Sequence, residues 1–289
     1  MNIEDFNDIV YEKGEDGICT ITFNRPERRN AFTHVTFLEI ETVLEDMEND
    51  KDAQVLIMKG SEEGNAFSSG GFFDIKALSS IDPEIRKELD LTDIAQKKLS
   101  MKLWNFSKPI IAAINGLAIG AGITLPLLGA DLIYMAADAW LGFYFIKRAV
   151  VPEFSISFLL PFYVGFQKAK EIMYFGDKIM AEEALNLGLV NDVIAGDKLI
   201  EHCHNIAKRL IPPNSPTISI RMMKKIMHEP FRKYLADTLD LENEGNQAAF
   251  KTADFRESTR ALKEKRDPKF KGKDNRAVRK FLEQFLKES

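Results

Sequence analysis

The sequence has few cysteines, little net charge and no long unbroken apolar run, and each shortage excludes a class of protein. Its two cysteines, Cys19 and Cys203, lie far apart and lack metal-ligand spacing, which excludes a disulfide scaffold and a zinc ribbon and favours a reducing compartment. With 39 basic and 44 acidic residues, the formal net charge is −5, so the chain has no bulk attraction to nucleic acid or to an anionic membrane surface. We therefore expect no nucleic-acid or membrane partner.

Residues 110–137 form the most apolar stretch, but glycine, proline, asparagine and aspartate interrupt it. The stretch therefore indicates buried strands, turns and a helix rather than a bilayer span. The N-terminal sequence MNIEDFNDIVYEKGEDG lacks the basic flank and apolar run of a secretory signal and is too acidic for a transit peptide. These features predict a soluble, cytoplasmic protein, and 289 residues suffice for a large core.

The order of apolar patterns predicts an α/β core. ICTITFNRP is typical of a strand that ends in a loop, residues 37–47 carry an apolar helical face, and residues 54–59 include VLIM, which is apolar on both faces like a buried parallel strand. A similar order recurs through the SSGG loop (68–71), the strand KPIIAAING, the GAG turn (120–122) and the strand DLIYMA. Such alternation favours an α/β fold.

Helical periodicity dominates the second half of the chain. It covers residues 161–175, 181–187, 199–210, 218–227, 234–266 and the amphipathic segment 276–286. A cluster of prolines after residue 211 indicates a boundary before the C-terminal helices. We predict a core at 1–211, a helical region at 212–272 and an amphipathic tail at 273–289. The tail would cover a neighbouring subunit, fold back on its own core or fray.

Metal and nucleotide sites have little support in the sequence. His202, Cys203 and His204 are adjacent, and neighbouring helical residues point about 100° apart, so they cannot easily converge on one ion. His34 and His228 lie in polar or basic stretches and are interpreted as surface or helix-end residues. The glycine loops lack both the P-loop lysine and a full dinucleotide fingerprint. We expect no metal and no nucleotide cofactor.

Two features are candidates for chemistry. The glycine loops at 68–71 and 120–122 each follow a strand pattern and could open a helix, where free N–H groups hold anions; alternatively, their glycines only permit tight turns and close packing. Glu153 is flanked by apolar residues, which would desolvate its carboxylate and raise its pKa toward that of a general base. The alternative is a helix-start acid after Pro152.

Several ordered motifs together resemble a known family. They are ITFNRPERRNAF (21–32), AFSSGG (66–71), KPIIAAINGLAIGAG (108–122), GFYFIKRAVVPEFSISFLLPFYVG (142–165), AEEALNLGLVNDVI and DFRESTRALKEKRDPKF. In order and spacing they resemble the crotonase, or enoyl-CoA hydratase/isomerase, superfamily. The resemblance implies a spiral of repeated ββα units, C-terminal helices that form a homotrimer or a dimer of trimers, and acyl-CoA substrates whose CoA is part of the substrate.

The resemblance also implies roles for particular residues. In this family one backbone N–H from each glycine loop binds the thioester oxygen as it becomes an enolate, and by motif position these belong to Gly71 and Ala121. Because the sequence after SSGG departs from the family pattern, Phe72 is the alternative for the first donor and a candidate substrate contact.

The NRPERRNAF loop would line the adenine and phosphate end of CoA. Arg28 and Arg29 would contact the phosphates, Ala31 would allow close approach, and Ser69 of the neighbouring loop would contribute to the same site. Glu27 stands where relatives often have lysine and would weaken phosphate binding. Either arginine could instead be a solvated surface charge.

Departures from the family pattern indicate the subgroup. Family hydratases hold water between two glutamates, and at those positions this sequence has Thr124 and Phe145, which would contact substrate but transfer no proton at neutral pH. Glu153 falls where the peroxisomal-type Δ3,Δ2-enoyl-CoA isomerases have one catalytic glutamate. The leading hypothesis is isomerisation of 3-enoyl-CoA to trans-2-enoyl-CoA.

Three alternatives stay open. Relatives with this VPE pattern include hydratases. Aromatic residues at 72–73 and 143–145 could suit a cyclic or aromatic acyl group, in a hydrolase or dehalogenase that uses a carboxylate near this position. The missing hydratase glutamates also fit a non-catalytic acyl-CoA-binding protein.

Overall fold

The structure, a computed structural model, describes residues 1–71, 83, 86 and 90–286. The strands among them are β1 (Ile9–Lys13), β2 (Ile18–Phe23), β3 (Val55–Gly60), β4 (Ala66–Ser68), β5 (Ile110–Ile114), β6 (Leu117–Ile119), β7 (Leu132–Ala136), β8 (Trp140–Gly142), β9 (Lys178–Met180) and β10 (Asp192–Ile194). The α-helices are α1 (His34–Asn49), α2 (Lys97–Asn105), α3 (Ala121–Gly129), α4 (Ile156–Val164), α5 (Phe166–Phe175), α6 (Ala181–Asn186), α7 (Leu199–Arg209), α8 (Thr217–His228), α9 (Arg232–Ala249), α10 (Ala253–Glu264) and α11 (Arg276–Glu283).

The strands form two sheets, and from β3 to β8 consecutive strands alternate between the two sheets. The large sheet has the order β1-β2-β3-β5-β7-β10 and the small sheet the order β4-β6-β8-β9. Neighbours run parallel except β1 with β2 and β8 with β9. Each of β3, β5 and β7 enters the large sheet and is followed by a strand of the small one. This alternation is the ββα spiral that the resemblance implied, and the α/β prediction is confirmed.

The core lies on both faces of the large sheet. The run Val55–Met58 of β3 and all of β5 are buried, as the apolar pattern predicted for central parallel strands. Helix α7 packs across β2, β3, β5 and β7. At the start of α1, the Thr33 side chain accepts from the Val35 and Thr36 N–H groups while the Thr36 hydroxyl accepts from the Thr33 N–H, a capping box that fixes where the helix begins.

Sequence periodicity missed the shortest elements and joined helices that are separate. The strands β4, β6, β8, β9 and β10 have three residues each, too few to show alternation. The segment predicted as one helix at 161–175 is two, because Gly165 at φ +81° ends α4. The predicted helix at 234–266 breaks at residues 250–252, where the Thr252 side chain accepts from the Phe255 N–H and starts α10.

The C-terminal tail folds back on its own chain. Helix α11 packs on α9, where the Phe281 ring lies 3.4 Å from the position that a Cβ on Gly245 would take. The tail is tethered before this point, because the N–H groups of Lys271 and Gly272 donate to the Asp254 carboxylate at 2.7 and 2.8 Å. Within this chain, the tail helix thus packs on the C-terminal helical region. In the part of the chain that the structure describes, every helix is too short or too polar to cross a bilayer.

Candidate active site

The two glycine loops lie against each other. They follow β4 and β6, which pair through Ala66 with Leu117 and Ser68 with Ala118. A Cβ on Gly122 would lie 2.4 Å from the Ser68 carbonyl oxygen. The glycines do permit close packing, as one alternative held, and that packing aligns the ends of the two loops.

Gly70 and Gly71 show how close the first loop comes to the second. Gly70 has φ +97°, and a Cβ there would lie 2.5 Å from the Ile119 carbonyl oxygen and 3.7 Å from the Ala121 nitrogen. A side chain at this position would therefore clash as well as strain the backbone. Gly71 follows at once and is exposed, and a Cβ on it would meet nothing within 4 Å. The first loop thus approaches Ala121 at Gly70, and Gly71 follows in an exposed position; Phe72 and Phe73 lie outside the described residues.

Ala121 begins α3 with its N–H turned away from the helix. Gly120 before it has φ +52°, and its carbonyl already accepts from Ile123 and Thr124 at 2.9 and 3.0 Å. The N–H of Ala121 belongs to the first turn and has no acceptor within its own helix. Its acceptor is the Glu153 carboxylate. The predicted oxyanion donor and the predicted base therefore lie close together.

Glu153 has the environment of a base with a raised pKa. Although the residue keeps some solvent exposure, its carboxylate is enclosed by protein, and this desolvation raises the pKa of Glu153 to about 8. The negative charge of Glu242 acts in the same direction, whereas the hydrogen bond from Ala121 opposes it. Because α4 begins at Ile156 with Ser155 as its N-cap and has no acidic residue in its first turn, the helix-start interpretation of Glu153 is wrong.

The NRPERRNAF loop is bound to the first glycine loop. The Ser69 N–H donates to the Arg29 carbonyl at 3.0 Å, and the Ser69 hydroxyl donates to the Arg28 carbonyl at 2.9 Å. Both arginine side chains are exposed, whereas Ala31 is buried. Phe32 continues the attachment, because its N–H donates to the Gly70 carbonyl at 2.9 Å. The loop therefore carries two exposed cations on backbone that is bonded to the first glycine loop.

Thr124 and Phe145 occupy the hydratase positions without offering a proton. The Thr124 side chain is buried, and its hydroxyl donates to the Gly120 carbonyl at 3.2 Å. The Phe145 ring is also buried and lies 3.9 Å from the position of a Cβ on Gly120. Both therefore lie against the second glycine loop, where Thr124 contributes a hydroxyl that is already hydrogen-bonded and Phe145 an apolar ring.

Comparison with known proteins agrees with this geometry. The family model described as enoyl-CoA hydratase/isomerase matches residues 13–273. The chain belongs to the enoyl-CoA hydratase/isomerase family. It is 29% identical to 1,2-epoxyphenylacetyl-CoA isomerase of Escherichia coli, with 90% of this chain and 97% of the relative covered. It is also 29% identical to crotonyl-CoA hydratase of Syntrophomonas wolfei, with 92% and 98% covered.

Solved structures show the same family fold. A crystal structure of an enoyl-CoA hydratase/isomerase from Pseudoalteromonas atlantica superposes with a TM-score of 0.78 at 25% identity, covering 92% of this chain and all of that one. The similarity extends over nearly the whole length of both chains. The crotonase superfamily assignment is therefore confirmed, and the protein is an acyl-CoA-processing enzyme of the enoyl-CoA hydratase/isomerase family.

Sequence reasoning missed two residues next to the site of this enoyl-CoA hydratase/isomerase family member. Glu242 and Asn246 of α9 are buried and hydrogen-bond the backbone on both sides of Glu153. They lie about one helical turn apart and nearly a hundred residues after Glu153. Their four-residue spacing places them on one helix face, but nothing local indicates which segment that face meets.

The histidines lie in structural positions. His34 begins α1 and His228 ends α8, so the helix-end interpretation is confirmed for both. The His228 ring stacks on Trp104 with centroids 4.1 Å apart. Cys203 is buried, and His202 meets Tyr134 edge-on at 4.7 Å. Across the described ranges, no three histidine, cysteine or acidic side chains gather as a metal site.

Proposed function

We propose that this enzyme isomerises 3-enoyl-CoA to trans-2-enoyl-CoA with Glu153 as its single proton carrier. One observation carries the proposal: the Ala121 N–H, placed by its motif as an oxyanion donor, donates to the Glu153 carboxylate. A thioester oxygen bound at Ala121 would take the place of that carboxylate as acceptor. The C2 atom of such a thioester would then lie against Glu153.

The mechanism follows from these positions. Ionised Glu153 removes a proton from C2, and the electrons move onto the thioester oxygen, where the Ala121 and Gly71 N–H groups hold the enolate. Preorganised donors of this kind stabilise the transition state by about 3 kcal/mol each. Protonated Glu153 then delivers its proton to C4, which moves the double bond from C3–C4 to C2–C3. A raised pKa suits this role because the same group must both accept and return the proton.

The side chains at the two hydratase positions support isomerisation over hydration. Hydration requires a water molecule that is held and activated beside C3. The Thr124 hydroxyl already donates to Gly120, and Phe145 presents an apolar ring, so neither can serve as the second acid.

The same substrate accounts for the cationic loop. We propose that Arg28 and Arg29 bind the phosphates of CoA, since the Ser69 hydrogen bonds hold their backbone against the first glycine loop. CoA enters as part of the substrate and the reaction uses no separate cofactor.

Product analysis in deuterated water tests the proposal. Linear and cyclic acyl-CoAs, including 3-enoyl and trans-2-enoyl thioesters, are incubated with the protein, and products are identified by mass spectrometry and NMR. We expect interconversion of the two enoyl thioesters, with deuterium at C2 or C4 and no release of CoA. A 3-hydroxyacyl product would indicate a hydratase, free CoA or halide a hydrolase or dehalogenase, and tight binding without turnover a non-catalytic protein. Each of these results would contradict isomerisation.

A further inference from the structure

One face of α9 holds the backbone on both sides of Glu153. On the N-terminal side, the Val151 N–H donates to Asn246 Oδ1 at 3.2 Å, and Asn246 Nδ2 donates to the Pro152 carbonyl at 3.2 Å. On the C-terminal side, the Ser155 N–H donates to Glu242 Oε2 at 2.7 Å. The catalytic carboxylate thus lies between two groups of hydrogen bonds made by residues four apart on one helix.

Glu242 makes a second contact on the same side. The Ser157 N–H donates to its Oε1 at 2.8 Å, so both carboxylate oxygens accept backbone hydrogen bonds. The Ser155 hydroxyl adds a bond to the Leu235 carbonyl of α9 at 3.2 Å. Glu242 is 5% exposed and Asn246 is 2% exposed, so these bonds are made away from competing water.

The segment that they hold is strained. Phe154 and Ser155 have φ of +58° and +56°, and two consecutive left-handed residues other than glycine cost roughly 1–2 kcal/mol each. Such a turn persists only where its surroundings determine it. Phe154 is fully buried, with its ring 5.7 Å from that of Phe37, and the α9 contacts hold the flanking backbone. The strained turn follows Glu153 directly, and the clamping bonds lie on both sides of it.

We propose that Glu242 and Asn246, here called the α9 clamp, are positioning residues for Glu153: together they fix the backbone on both sides of its carboxylate. This inference rests on the proposed function, in which Glu153 moves the proton. Simple capping of α4 would explain Glu242 alone. It would not explain Asn246, which bonds residues before Glu153 and makes no contribution to the start of α4.

The effect of the Glu242 charge on the pKa of Glu153 depends on which other ionisable groups face Glu153. Helix α3 presents none, because its sequence AGITLPLLG has no ionisable side chain. Helix α9 presents Glu242, whose negative charge raises the pKa of Glu153. Arg148, in the segment before Glu153, is partly buried, and its carbonyl accepts from the Ser258 hydroxyl of α10. Within the described part of the chain, Glu242 is the charged group that acts on the pKa of Glu153.

Three variants separate position from charge. Glu242→Gln loses the charge and turns an amide donor toward a backbone N–H. Glu242→Asp keeps the charge on a shorter side chain, and Asn246→Ala removes the other half of the clamp without changing any charge. Glu244→Gln is the matched control, because Glu244 is exposed on the same helix and its side chain accepts a hydrogen bond from the Gln284 amide at 3.4 Å.

The assay is exchange of the C2 proton of a saturated acyl-CoA with deuterated water, measured over pH. This reaction needs Glu153 and the oxyanion donors but no transfer to C4, so it remains measurable if isomerisation is not the enzyme's reaction. We expect kcat for exchange to fall about tenfold or more in Glu242→Gln and Asn246→Ala, with KM nearly unchanged. The acidic limb of the kcat/KM profile should move to lower pH in Glu242→Gln only, because removing a negative charge lowers the pKa of Glu153. Glu242→Asp should keep the wild-type limb.

Hydrogen exchange of peptides covering residues 150–158 gives a readout independent of chemistry. It should speed up in both clamp variants and not in Glu244→Gln, with circular dichroism confirming that each variant is folded. Wild-type kcat and an unmoved limb in folded Glu242→Gln would overturn the proposal, as would wild-type kcat in folded Asn246→Ala. Wild-type C2 exchange without isomerisation would refute the proposed function and leave the clamp supported if the variants behave as expected. Absence of C2 exchange in the wild type would refute both.

Discussion

Glu153 and Glu242 are two carboxylates enclosed in the same part of the protein, and burial raises the pKa of both, to about 8 and about 7. Each negative charge makes ionisation of the other harder, so the pair does not readily carry two full charges near neutral pH. Burial raises the pKa of Glu242, and the two backbone N–H groups that donate to its carboxylate offset part of this rise, whereas Glu153 accepts from one backbone N–H. This difference leaves Glu153 as the more basic group, as a proton carrier should be.

At the same scale, Glu153→Gln should stabilise the fold, and most strongly at alkaline pH. The pKa of Glu153 is raised from 4.5 to about 8, so the folded state binds its proton more tightly than the unfolded state does. Wild-type stability therefore falls as pH rises from about 5 through about 8, whereas Gln has no proton to lose. In thermal melts, the Tm of the variant should exceed that of the wild type by about 2 °C or more near pH 9, and by less near pH 5. A Tm difference independent of pH would contradict a raised pKa.

At the scale of elements, the structure depends on short strands that carry little sequence signal. The long elements α1, β3 and α7 followed from periodicity, because each has enough residues to show one buried face or two. The three-residue strands β4 and β6 did not, yet their pairing is what brings the two glycine loops together. The position of Glu153 followed from its motif, but its partner Glu242 did not, since contact between α4 and α9 is a product of tertiary packing.

Gly122→Ala tests the pairing of the two glycine loops. The added Cβ would lie 2.4 Å from the Ser68 carbonyl oxygen, so the backbone of one loop must move. We expect the free energy of unfolding to fall by about 1–3 kcal/mol and kcat to fall by about tenfold or more. Gly71→Ala is the matched control for stability, because its Cβ would meet nothing within 4 Å. If both variants melt like the wild type, the close approach of the loops is wrong.

At the scale of the whole molecule, the C-terminal tail contributes to the stability of the fold. Helix α11 covers α9, which carries the clamp, so a protein ending at Gly272 should have a lower Tm by a few degrees. Phe281→Ala, which removes the ring against Gly245, should reproduce part of that loss. A truncated protein with unchanged melting would show that the tail is dispensable.

Helix α8 leaves large apolar side chains exposed, with Ile218 and Ile226 at 72% and Met227 at 68%. Monomers rarely expose so much apolar surface on one helix, so we expect these residues to lie between subunits of a homotrimer or a dimer of trimers. Light scattering should give a mass of three or six chains, and Ile226→Glu should reduce it. A strictly monomeric wild-type protein would contradict this prediction.

The most direct test of the central claim is the effect of Glu153→Gln on isomerisation of 3-enoyl-CoA. Wild-type kcat/KM should rise with pH up to about 8, since the free enzyme must hold Glu153 ionised. Gln keeps the shape of the side chain and can still accept the Ala121 N–H, but it cannot take a proton, so kcat should fall by about two to four orders of magnitude. Binding of a CoA thioester, measured by calorimetry, should change little. Wild-type turnover in a folded Glu153→Gln protein would contradict the account.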